Sequence, residues 1–342
     1  MLALAYRLFH FESRSAAAPA TDRKPGAEPA AGASGNRAGT LPAPRSDAAT
    51  RRAQLWRLTR FDMAFVFRSP AFFVLLGIGV INSGAALWYT GEWYGSGSYP
   101  VTRLMVQALT GAFTLMPIII AIFYAGELVW RDRERRMHEV IDATAAPDWA
   151  HLIPKIAAIT LVLAATSLVA VASAMLVQIL KGYTHFELDA YLLWFALPTF
   201  IGAVQLAVLA VFVQVLVPQK YLGWGVMLIY VVASVALTSA GFEHTLYNYG
   251  STPPVPLSDM NGMGRFWIGQ AWLQLYWSCF ALVLAVLSYA LWRRGAKLAL
   301  RPRLAQLHTR LRGGAGALLA LGALGWAASG AFIFYNTNML NR

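Results

Sequence analysis

Charge is scarce in this chain. Of its 342 residues 13% are charged and 58% hydrophobic, and the mean hydropathy is +0.51. A water-soluble domain carries about 25% charged residues because its surface faces water. Half that share leaves too little polar surface, so the apolar residues have to face lipid. Cysteine is nearly absent too. Cys279, inside an apolar run, is the only one, which excludes a disulfide framework and a cysteine-based metal site within the chain. No Gly-x-x-x-x-Gly-Lys-Ser/Thr phosphate loop occurs, and Lys181-Gly182 has the order reversed, so ATP is not bound by that route. His138-Glu139 begins like the zinc motif H-E-x-x-H, but Asp142 stands where the second His would have to be. Catalytic residues, metal ligands and a cofactor are therefore not expected. Ionisable groups are also missing from the centres of the apolar runs. There each costs about 2.5–3.5 kcal/mol on insertion scales, and their absence counts against a proton relay or an ion-coupled carrier.

Basic residues are the exception to the scarcity. The net charge is +12, from 28 Lys and Arg against 16 Asp and Glu. In a soluble protein this would suggest nucleic acid. Here the basic residues sit between apolar runs, where they set topology, and nucleic acid is not an expected partner. Seven runs approach the roughly 20 apolar residues that a bilayer requires, at 71–89, 104–128, 152–180, 191–217, 221–240, 266–292 and 316–335. The expected fold is all-α, a polytopic helical membrane protein with a six-span domain at 71–292 and a seventh span. Ser69 and Pro70 suit the start of the first span, where no amide donor is needed. Only Pro218-Gln219-Lys220 separates the fourth from the fifth, which predicts a tight helical hairpin.

Orientation follows from the loops. Assigning the connections alternately to two sides places all but four of the Lys and Arg, namely Arg103, Lys181, Arg265 and Arg342, on one side. The positive-inside bias puts that side, and the N-terminus, in the cytoplasm, and the C-terminal tail at 336–342 outside. Residues 1–50 are rich in Ala, Pro, Gly and Ser and read as a disordered linker. Two basic segments, 51–70 and 293–315, read as amphipathic helices on an anionic leaflet. In the first, Leu55, Leu58, Phe61 and Phe65 form the apolar face; in the second, Leu304, Leu307 and Leu311 do. A solvated loop is the alternative for the second.

The most charged stretch is 130–144. Met137, Val140 and Ile141 share a helical face there, and Asp132 can pair with Arg136 at four-residue spacing. Glu127 lies at the membrane edge before it, and Lys155 can snorkel from the start of the third span. Pro117 and Pro198 are candidate kinks, and Gln178, Gln205 and Gln214 are candidate interhelical bonds. The long outer loop at 241–265, with Glu243, His244, Tyr247, Tyr249, Asp259 and three prolines, reads as a rigid cap rather than a metal or substrate site.

Glu127, Arg133-Glu134-Arg135, Glu139-Val140-Ile141-Asp142-Ala143-Thr144-Ala145-Ala146-Pro147 and Lys155, set in a six-span domain behind an amphipathic helix, resemble the permeases of ABC-type exporters of the second class. Their loop has the form E-R-E, three residues, E-x-L-L-x-T-P. Met137-His138 stands where a Gly-Thr pair is usual, and Ala146-Pro147 where Thr-Pro is usual. Residues 125–131, 137–139, 181–188, 241–244, 256–262 and 334–338 are similar to a subfamily in which the permease is fused to a zinc aminopeptidase. The expectation is one permease half without its enzyme, through truncation or a split gene.

The resemblance implies a bacterial plasma-membrane exporter subunit, not itself an enzyme. A separate cytoplasmic ABC ATPase would drive it, and a second permease half or a second copy would pair with it. Residues 131–142 would then be the ATPase-coupling helix. Arg131 and Asp142 bound it, Arg133, Glu134, Arg135 and Glu139 are docking contacts, and Met137 and Ile141 are an apolar key. The rival expectation is a membrane anchor for an outer-face aminopeptidase, with no transport of its own.

Overall fold

The computed structural model describes residues 47–340, apart from 91, 94–95, 98, 144–146, 243, 259 and 296–298. Most of the expected linker lies outside the described residues. So do Thr144, Ala145 and Ala146 of the loop motif, Glu243 and Asp259 of the long loop, and the last two residues of the tail.

The chain is an all-α, multi-pass membrane protein. Helix α1 (Ala48–Phe67) leads into α2 (Pro70–Tyr89), and a two-residue hairpin of β1 (Glu92–Trp93) and β2 (Ser96–Gly97) follows. Next come α3 (Thr102–Ala112), α4 (Leu115–Glu134), the short α5 (His138–Asp142) and α6 (Trp149–Leu180). After them run α7 (Leu188–Leu216), α8 (Lys220–Ser239), α9 (Phe266–Ala290), the short α10 (Leu300–Ala305) and α11 (Leu307–Arg310), and α12 (Gly314–Leu340). Among the described residues six helices are long and apolar enough to cross a membrane, and α3 and α4, bent by 45° at their junction, pass the same test only when taken together.

Each helix end has a local cause. Ser69 occupies the N-cap position of α2 without a side-chain bond to the helix amides, and Pro70 opens the helix. The bend between α3 and α4 falls at Phe113 and Thr114, ahead of Pro117. The Thr114 hydroxyl donates back to Thr110 O and Gly111 O, both at 3.1 Å, and Asn82 of α2 donates to Ala112 O at 3.1 Å. These bonds satisfy carbonyls that the interrupted helix leaves open. In α7 the wide turn Tyr191–Ala196 precedes Pro198. A proline ring would meet the carbonyl four residues back in a regular helix, and the wider turn relieves that contact. The last helix reaches Leu340, so most of the expected outward tail is helical.

Helices α6 and α7 are central, with 50% and 44% of their apolar windows buried against 11% for α8 and 17% for α12. Their shared core takes Ile120 and Tyr124 of α4, Ile159 and Val162 of α6, and Ala203, Ala207 and Ala210 of α7. The alanines let the backbones approach closely, as membrane helices must when burial from water contributes little. Glycines serve the same purpose where α12 crosses α9. A Cβ at Gly325 would lie 2.8 Å from Cys279 Sγ, and one at Gly330 2.8 Å from the Tyr276 ring.

Buried amides fix the register between helices. Gln178 of α6 donates to Pro100 O at 2.8 Å and accepts from the Tyr191 hydroxyl at 2.9 Å. Gln205 of α7 donates to Gln274 O at 3.1 Å and to Ser278 Oγ at 3.0 Å on α9. The 241–265 loop is anchored by Tyr249, whose hydroxyl donates to Gln205 O at 2.8 Å and whose ring meets Trp277 edge-on.

Candidate functional site at the basic end of the bundle

Ionisable side chains from distant parts of the sequence converge where α4 ends, α6 and α8 begin, and the chain leaves α9. Arg131, in the last turns of α4, donates to Asp62 of α1 at 2.6 Å, and both side chains are buried. Its guanidinium also lies over the rings of Phe61 and Phe65, 4.8 and 5.3 Å from their centroids. Desolvating two charges is costly, and this pair recovers the cost through a short bond and two aromatic faces. Asp132 then bridges Arg131, at 3.4 Å, to Lys155 of α6, at 3.5 Å. Lys155 is therefore a buried, paired residue rather than a snorkelling one, and Asp132 turns away from Arg136. The chain Asp62, Arg131, Asp132, Lys155 ties α1, α4 and α6 together.

This tie sets which side of α1 meets the bundle. Thr59, Asp62 and Val66 are buried against the bundle, while Phe61 is exposed.

A second group forms on the opposite flank of α4. Glu127 and Glu134, two helical turns apart, share a face, and Lys220 at the start of α8 donates to both, at 3.0 and 2.6 Å. The approach of α8 requires Gly126 and Gly223. A Cβ at either would run into the Trp224 indole or the Gln214 amide. Gln214 in turn accepts from Trp130 Nε1 at 2.9 Å.

Past α9, arginines close the helix ends. Arg293 donates to Gln214 O and Val215 O at 3.2 and 3.0 Å, and its guanidinium lies 4.4 Å from the Trp130 ring centroid. Arg303 donates to Val215 O at 2.8 Å, Leu291 O at 2.9 Å and Leu216 O at 3.4 Å. Cations at helix C-termini satisfy the open carbonyls and the negative end of the dipole. Arg293 and Arg303 thus hold their parts of this segment against the bundle, with Arg303 buried and Leu304 exposed.

The 131–142 connection divides into inward and outward parts. Asp142 accepts from the Gly295 amide at 2.7 Å, and Arg133 donates to Gly295 O at 3.1 Å. Arg131, Arg133 and Asp142 are thereby occupied within the fold, and Ile141 is half-buried. Arg135, Arg136, Met137, Glu139 and Val140 are exposed, Met137 at 50% and Val140 at 64%. Glu134 is exposed as well, but bonded to Lys220. The turn itself is unusual. Met137 N bonds to Asp132 O and Arg136 N to Arg133 O, at 2.9 and 3.0 Å, the pattern that normally places glycine in the left-handed position. Arg136 occupies that position with φ 55°.

Sequence patterns missed Asp62, Arg293 and Arg303 as site residues, and Lys220 as the partner of Glu127 and Glu134. The one available signal was the seven-residue spacing of Glu127 and Glu134, which calls for a cation facing α4. Among the described residues no cluster of His, Cys, Asp and Glu is placed to hold a metal ion. Fold and site together define a multi-pass helical membrane protein with a densely bonded charged end. No model of a known protein family matches the chain, and no curated protein matches it.

Proposed function

We propose that the chain is the membrane-spanning permease subunit of an ABC-type exporter, driven by a separate ATPase. It would sit in a bacterial plasma membrane with the basic end and N-terminus in the cytoplasm and the C-terminus outside. The observation that carries this reading is the exposed apolar tip of Met137 and Val140, flanked by Arg135, Arg136 and Glu139, on a helix joining two spans. A solvated loop gains nothing from apolar residues at its apex, whereas a docking helix needs them at its centre with charges around them. The left-handed Arg136 adds backbone strain at the same place, where functional contacts concentrate it. Because Asp132 joins α4 to α6 through Lys155, closure of an ATPase on the tip would move both spans together.

A second copy, or a second permease half, would complete the pathway. Within this half a cavity of about 320 Å³ has mostly apolar walls, among them Pro117, Ile118, Leu163 and Leu206, with Thr199, Gln205 and Tyr230 as uncharged polar points, and would suit a largely apolar translocated group.

The test is co-purification in mild detergent. The tagged chain should bring down an ABC ATPase and raise its turnover, and Met137→Glu with Val140→Glu should abolish both while leaving the melting temperature unchanged. If the wild-type chain brings down no ATPase, the exporter reading is wrong. Recovery of an outer-face aminopeptidase instead would favour the anchor. For orientation, a reporter active only outside the membrane should work when fused after Arg342 and fail when fused after Arg312.

A further inference from the structure

Beside the tip, at the foot of α9, lies a cavity of about 360 Å³ walled by Arg294, Arg303, Arg310 and Gln306, with Trp292 and Pro302 as its apolar sides. Its volume falls in the roughly 300–1,000 Å³ range of small-ligand sites. The charge around it is unbalanced. Arg294, Arg303 and Arg310 line it, Arg133 and Arg293 line the neighbouring small void, and among the described residues the carboxylates beside them are Asp142 and Asp148. Asp148 is shared between Arg294 and Arg310 at 3.3 Å each, and Asp142 bonds to the Gly295 amide. Arg293 and Arg303 are 8% and 9% exposed and bond only to backbone carbonyls among the contacts seen. Arg293 does not line this cavity; with Arg133 and Trp292 it lines a separate void of about 30 Å³, and its Nε is buried with no hydrogen-bond partner among the described residues. Helix C-termini supply about half a negative charge each, which is too little for this many guanidiniums. Burial, with Arg303 and Arg133 nearby, pushes the Arg293 guanidinium down to about 9, and burial with Arg133 and Arg310 pushes Arg303 down as well. Arginine keeps its proton in proteins, so the excess charge is not relieved by proton loss.

We infer that this cavity binds a phosphate-bearing anion, and that the ligand is the headgroup of an acidic phospholipid at the membrane edge. Guanidinium forks match phosphate oxygens in pairs. Trp292 places an indole beside the charges, where tryptophan marks the membrane interface. Arg294 and Arg310 remain partly open toward the cavity mouth, with side chains 34% and 27% exposed. This inference rests on the membrane fold and not on an ATPase partner, so it stands or falls separately from the exporter reading.

The probes are phosphatidylglycerol, phosphatidylcholine and inorganic phosphate, added to the full chain in detergent after delipidation, with bound lipid and melting temperature as readouts. Phosphatidylglycerol should bind and raise the melting temperature; phosphatidylcholine should do neither. Gln306→Glu adds a negative charge at the cavity wall without removing any bond described above. It should weaken phosphatidylglycerol binding about fivefold, the contribution of one charge near an anionic headgroup. Gln54→Glu makes the same charge change on the exposed part of α1 and should leave binding unchanged. Competition by inorganic phosphate would show that the phosphate group alone is recognised; lack of competition would assign the site to the intact lipid. Equal binding of both lipids, or equal weakening by both variants, would overturn the inference.

Discussion

Removing Asp62 offers the sharpest measure of how the basic end is held. The carboxylate lies 2.6 Å from Arg131 Nη2, with both side chains under a tenth exposed. A pair at such range is worth about 4 kcal/mol at the effective dielectric of a partly buried site. Breaking a buried pair by deleting one member costs about 3–5 kcal/mol, because the other charge stays desolvated. Two features reduce that figure here. Asp132 remains at 3.4 Å from Arg131 Nε, and Phe61 and Phe65 still present their faces, each worth about 0.5–1 kcal/mol. Asp62→Ala should therefore cost about 2–3 kcal/mol. Arg131→Ala should cost at least as much, since it also strips Asp132 of a partner. The double variant should cost clearly less than the sum of the single ones, with a coupling of about 1.5–2 kcal/mol. Reversible unfolding in mixed micelles gives the four stabilities. A coupling below about 0.5 kcal/mol would show that α1 is not clamped to α4 by this pair, and the tie between α1, α4 and α6 would have to be abandoned.

Other substitutions probe neighbouring contacts with the same unfolding measurement. Gly126→Ala should destabilise by about 1–3 kcal/mol through collision with Trp224, and Trp224→Leu in the same chain should recover part of it. Gly77→Ala, where an added Cβ meets nothing within 4 Å, should instead be neutral or stabilising by up to about 1 kcal/mol. Arg136→Gly should stabilise by about 0.5–1 kcal/mol, the cost of a left-handed non-glycine residue less the chain entropy that glycine adds to the unfolded state. Loss of stability would refute the strain. Arg303→Ala strands the carbonyls of Leu216 and Leu291, while Val215 O keeps Arg293, and should cost about 2–3 kcal/mol, with Lys recovering some of it.

The crossings were legible because a bilayer demands long apolar runs, and each predicted run contains the bulk of an observed helix. The break between α3 and α4 was not. Pro117 drew attention to that region, yet the chain turns three residues earlier, where Thr114 bonds back to the preceding turn. A proline is visible in sequence; a hydroxyl that replaces a helix bond looks like any other threonine. The burial of Asp62 was hidden for a related reason. Helical periodicity ranks residues by hydrophobicity, and by that measure Asp62 belongs to solvent. Only the position of Arg131, 69 residues away, makes the acid a buried one. Lys155 and Glu127 stand out in the sequence as charges beside apolar runs, but their partners Asp132 and Lys220 come from other helices and leave no local pattern.

The basic loops need a second explanation beside topology. Helices α4, α7 and α9 all end at the basic end, so their open carbonyls collect there. Arg293 and Arg303 close α7, and Arg310 donates to Trp292 O at 3.1 Å just past α9. At the opposite end α6 and α8 close differently, with Gly182 and Gly241 at φ 79° and 93°. In both, the following amides bond back to the last turn, Tyr183 N to Gln178 O and Phe242 N to Leu237 O, without any side chain. Glycine caps need no charge, whereas guanidinium caps bring one each. Part of the positive excess on one side is thus set by how those helices are closed. Arg293 and Arg303 could not be exchanged for other basic residues at nearby loop positions, as an orientation signal alone would allow.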